Sequence, residues 1–233
     1  MTHHWLDSTH VTFGVLTAGV HNPRWKVETS VFNGRDPDEP RTDLDLGGFD
    51  SAAVRLSVLP TERLALQVSA ARLREARTDF LQQTDRQVTR ATASAVYHRP
   101  IGPAGIWATT LAIGVNDGRE HVAGTVRDAA SVAALLETSL TWKERNTVFG
   151  RVEIAEMPAH HLHAFEYSTE AFPVAKLQAG CVRYLRSLKG LVPGVGATAS
   201  FSVLPPALAP RYSGRIAPGV GIFLTVRAGR HEM

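Results

Sequence analysis

From Ala134 onward, alternate residues read Ala134, Leu136, Thr138, Leu140 and Trp142 on one side and Leu135, Glu137, Ser139, Thr141 and Lys143 on the other. A period of two residues is that of a strand. After the polar turn Lys143–Asn146 the alternation resumes, with Val148, Gly150, Val152 and Ile154 against Thr147, Phe149, Arg151 and Glu153. The two runs predict a β-hairpin with one apolar face and one face carrying charge. The same period predicts eleven strands, at about 10–21, 24–34, 51–60, 63–74, 86–99, 105–116, 132–143, 146–156, 173–186, 193–204 and 217–228. Their length exceeds the roughly 5–6 residues usual in soluble sheets and suits a tilted bilayer crossing of about 9–11.

The connections between these runs sort by length. Short ones fall at 21–24, 60–62, 100–105, 144–145 and 187–194, and long ones at 34–50, 75–85, 117–130, 157–172 and 205–218, in strict alternation. Such sorting predicts an up-and-down barrel with brief turns at one rim and extended loops at the other. Trp25, Tyr97, Trp107, Trp142 and Tyr184 all flank short turns, the arrangement of an interfacial aromatic girdle. The apolar rows are rich in Ala, Val and Thr, as in Val195, Ala197, Ala199, Phe201 and Val203, and are almost free of charge. They predict contact with lipid, and the rows between them predict a polar interior. Two stretches fit less well. Arg183 falls on the apolar side unless a bulge near Gly180 shifts the phase, and the apolar row within 86–99 is weak.

Composition narrows the alternatives. The chain of 233 residues is 44% hydrophobic, and no apolar run approaches the roughly 18 residues of a membrane helix. The formal charge of +3 is dispersed among acidic residues, which argues against nucleic acid as a partner. Cys181 stands alone, so neither an internal disulfide nor a thiolate metal cluster can form. The opening residues show no signal peptide. An odd number of up-and-down strands cannot close antiparallel, so a single domain over 1–233 is expected to lack an N-terminal strand and leader, with 1–9 a loop remnant and about twelve strands in the full-length protein.

The forms Leu64–Ala70, Ile106–Ala112 and Asn146–Val152 resemble strands of porin-like transmembrane β-barrels of the Gram-negative outer membrane. The resemblance is architectural and covers His10 to Ala228. The terminal Arg227-Ala-Gly-Arg-His-Glu-Met233 departs from the aromatic ending common in such barrels. The resemblance implies an all-β, antiparallel up-and-down transmembrane barrel, located in the bacterial outer membrane, with a channel or structural role and no soluble cofactor. Its partners would be outer-membrane lipid and lipopolysaccharide, the barrel-assembly machinery and, with an open pore, small polar solutes.

Candidate chemistry is electrostatic. Lys26, Glu28, Arg55, Arg90, Glu137, Arg151, Glu153 and Lys176 fall on the interior side and are the candidate lumen or pore lining, either as opposed charge ladders or as pairs that fill a closed interior. His160, His161 and His163 form a loop cluster that could ligate a divalent metal, although the spacing is irregular and a solvated loop explains it better. The acidic run Asp36–Asp45 lacks the spacing of a calcium loop. No Gly-x-Ser-x-Gly elbow occurs, so a lipid-active barrel enzyme is disfavoured and no catalytic residue is expected. The alternative from another class is a soluble β-barrel or sandwich binding an apolar ligand. It would turn Trp107, Leu111 and Ile113 into a core and leave Arg55 and Glu137 in water.

Overall fold

The computed structural model describes residues 1–6, 14–34, 47–79, 82–122, 125–162 and 171–228. A four-residue helix α1 (His3–Leu6) precedes eleven strands: β1 (Val15–His21), β2 (Trp25–Phe32), β3 (Ser51–Thr61), β4 (Leu64–Asp79), β5 (Gln82–Pro100), β6 (Ile106–Val122), β7 (Thr125–Trp142), β8 (Asn146–Pro158), β9 (Ala171–Tyr184), β10 (Leu191–Val203) and β11 (Ile216–Ala228). They form one antiparallel sheet in sequence order, each strand beside the next, as the two-residue period predicts. The order is open, because β1 and β11 are not paired with each other. Among the described residues no helix is long and apolar enough to cross a membrane, which bears only on helices.

The short connections are tight for local reasons. Between β1 and β2 the Asn22 carboxamide accepts hydrogen bonds from the backbone N–H of Arg24 (2.8 Å) and Trp25 (2.9 Å). Between β7 and β8, Lys143 and Glu144 both adopt left-handed backbone, with φ of 50° and 53°. Left-handed backbone at both central positions is the geometry of a type I′ hairpin, whose twist matches that of the flanking strands. The β9–β10 link repeats it with Lys189 (φ 51°) and Gly190 (φ 79°).

Two of the expected long loops, 75–85 and 117–130, prove instead to be strand over most of their length, since β4 runs to Asp79, β5 starts at Gln82, β6 runs to Val122 and β7 starts at Thr125. The runs Glu75–Asp79 and Gln82–Arg86 are polar at both parities, so hydrophobic alternation disappears although the backbone stays extended. No bulge near Gly180 shifts the phase, so Arg183 stays on the apolar side. The ladders from β9 to β8 and β10 run without a register shift from Ala175 to Arg183.

By backbone proximity the chain divides into two compact units, Met1–Ala95 with Ala112–Ala134, and Val96–Leu111 with Leu135–Met233. In the first, the buried residues Phe32, Ala71, Leu73 and Val88 form a cluster from β2, β4 and β5. In the second, Ala155, Ala159, Phe172, Val174, Leu204 and Leu208 are buried, in or beside the ends of β8, β9 and β10. Short 3-10 turns at Ala159–Leu162 and Pro206–Leu208 follow β8 and β10.

Candidate functional site

Register places the charged rows on one face of the sheet. In the first unit Glu28 faces Arg55 across β2 and β3, and Lys26 faces Ser57. The Glu28 carboxylate takes both cations, with Lys26 Nζ at 3.0 Å and Arg55 Nη2 at 2.7 Å, and Arg55 Nε also donates at 2.9 Å. Two cations around one carboxylate leave the cluster net positive. Further along the face, Ser69 and Thr92 share a 2.6 Å hydroxyl bond and Arg90 Nε donates to Asn116 Oδ1 at 2.7 Å, linking β4 to β5 and β5 to β6. Arg90 and Asn116 are both buried. A guanidinium removed from water needs hydrogen-bond acceptors, and Asn116 supplies one.

In the second unit's group of Glu137, Arg151, Glu153 and Lys176, acids and bases are equal in number. Arg151 on β8 reaches Glu137 on β7 at 3.4 Å and Glu153 on its own strand at 3.0 Å. Across the β8–β9 ladder Gln178 lies opposite Arg151 and Lys176 opposite Glu153. The Arg151 Nε is buried without a hydrogen-bond partner. Lys26, Glu28, Arg55 and Arg90 thus share the polar face of one unit, and Glu137, Arg151, Glu153 and Lys176 that of the other.

Aromatic residues divide between the faces. Trp25 alternates with Lys26 and stands on the apolar face with Val54, Leu56 and Val68. In the second unit Trp107 packs edge-on against Tyr97, with ring centroids 5.7 Å apart, and its Nε1 donates to Thr138 Oγ1 at 2.9 Å. Trp142 shares the parity of Thr138 and is exposed, as are Leu111 and Ile113. Tyr184 differs from these girdle candidates: it lies at the parity of Lys176 and Gln178, on the polar face. There the Arg227 guanidinium sits 3.8 Å from its ring centroid. Gly194, paired with both Tyr184 and Thr225, leaves room for that contact across β10. Arg183 lies on the apolar face near the end of β9 and donates to Asn146.

Sequence reasoning missed the rings that lie over glycines on the polar face. Phe149 is paired with Gly180, and Phe223 with Gly196. A Cβ built at either glycine would collide with the facing ring. An aromatic at the charged parity, opposite a glycine in the neighbouring run, is the signal that could have revealed them once register was known.

His163 lies outside the described residues. Among those described, no group of three or more His, Cys, Asp and Glu comes together as a metal site. Neither protein-family models nor curated protein sequences give a significant match to this chain.

Proposed function

We propose that this chain forms the wall of an outer-membrane β-barrel, with its apolar face against lipid and its charged face around a lumen, acting as a small porin-like channel or structural barrel. The observation that carries the reading is an exposed apolar row beside the buried charges Glu153 and Arg90, while the Arg55 and Glu137 side chains are 44% and 48% exposed. Ile222 is 85% exposed and Leu111 56%, whereas Glu153 and Arg90 are 4% and 5% exposed. In a water-soluble sheet protein the alternate apolar row is the one buried, because removal of apolar surface from water drives folding. Lipid removes that penalty and moves it to unpaired charge, so a membrane wall shows the opposite order.

The Ala, Val and Thr content of the exposed rows supports the same reading. Eleven antiparallel strands leave β1 and β11 running in the same direction. Closure as an antiparallel barrel therefore needs a further strand between them. The cation-rich cluster at Glu28 and the charge-balanced group at Arg151 would line the lumen with charge, which favours small polar solutes.

The test is solubility and current. The protein refolded in detergent should migrate differently before and after boiling, and purified protein in a planar lipid bilayer should pass stepwise current. A monomer that stays in solution without detergent and gives no current would falsify the membrane reading.

A further inference from the structure

The N-terminal residues have a seat that the eleven strands do not require. Trp5 is 2% exposed and Thr2 fully buried. The indole Nε1 donates to Ser131 Oγ on β7 at 2.8 Å, and the Trp5 backbone N–H donates to the Thr2 carbonyl at 3.1 Å. On β6 the Trp5 backbone lies directly against Gly114, where a Cβ would collide with the Trp5 carbonyl. Gly114, midway along β6, and Ser131, in the first half of β7, share the polar face with Asn116. All these residues belong to the first unit.

The attachment points are far apart in the sheet. The chain enters β1 at Val15, and β6 is five places away in the strand order. At about 4.8 Å per place that is about 24 Å along the sheet. The eight Cα-to-Cα steps from Leu6 to Gly14 reach about 28 Å at most. The link is therefore long enough for the seat of Met1–Leu6 on β6 and β7 and the start of β1 to belong to one chain.

We propose that Met1–Leu6 is a strap that narrows the passage along the polar face, seated by Trp5 on Gly114 and Ser131, and that it sets the size of solute admitted. The inference rests on the channel reading. An apolar indole with its single donor satisfied is suited to plug such a face, because its burial needs no charged partner.

Two measurements separate the strap from the channel. In full-length protein with Trp25, Trp107 and Trp142 changed to Phe, the remaining Trp5 emission should be at least fivefold less quenched by acrylamide in the folded state than in urea, and Gly114→Leu should abolish that protection. Equal quenching in folded and unfolded protein overturns the seat. In planar bilayers, deletion of Met1–Leu6, or Trp5→Ala where the deletion does not fold, should raise unit conductance at least twofold and admit larger neutral polymers. An unchanged conductance overturns the strap and leaves the channel standing. Absence of current from every variant overturns the channel reading and the size-limiting role with it, while the quenching still decides whether the segment is seated.

Discussion

Glu153 and Ile154 are neighbours on β8, yet the carboxylate is 4% exposed and the isoleucine 53%. One peptide step turns a side chain to the other face, so the two residues sample two environments with no difference in backbone. On the Glu153 side the residues answer one another: Arg151 bridges to Glu137 and Glu153, and Lys176 stands opposite. On the Ile154 side Val152 and Leu177 stand out from the sheet, half-exposed. The contrast teaches that polar complementarity organises one face of this sheet, whereas the other presents apolar side chains to the surroundings.

The strongest way to break the contrast is to move a charge across it. Val152→Arg should lower stability by about 2–4 kcal/mol in lipid vesicles, the penalty for a cation near the bilayer midplane, measured by urea unfolding. No loss of stability would show that the apolar face does not meet lipid. Next, Glu153→Gln should cost about 1.5–3 kcal/mol, because Arg151 loses a charged acceptor, and adding Arg151→Met should restore part of it. Gly196→Val should cost about 1–3 kcal/mol by displacing the Phe223 ring, with Phe223→Ala in the same chain relieving the clash. The smallest effect concerns the turn: Glu144→Gly should raise the unfolding midpoint by about 0.5 kcal/mol equivalent, since glycine relieves left-handed strain but adds unfolded-state entropy.

Strand number and order could be read from the sequence because hydrophobic alternation reports the backbone period directly wherever the two faces differ. Where they do not differ, as in Glu75–Asp79, the extended backbone leaves no such trace, and β4 to β7 outrun their expected ends. The polar rows Lys26–Glu28 and Arg151–Glu153 were legible by parity, but their pairing was not, because partner choice depends on register. Tyr184 shows the same limit. Its position beside a short turn suggested an interface ring, whereas its parity puts it under Arg227. The seat of Trp5 had no local signal, since its partner Ser131 is 126 residues distant.

The long middle strands carry a consequence of their own. β5 has 19 residues, about 63 Å of ladder at 3.3 Å each, against an apolar band about 25 Å tall. On the membrane reading, the surplus would stand clear of the lipid as paired strand. Proteases cut slack polypeptide in preference to ribbon, so the arms of β4 to β7 should resist digestion better than loops of equal length. Whatever approaches from that side meets a stiff palisade.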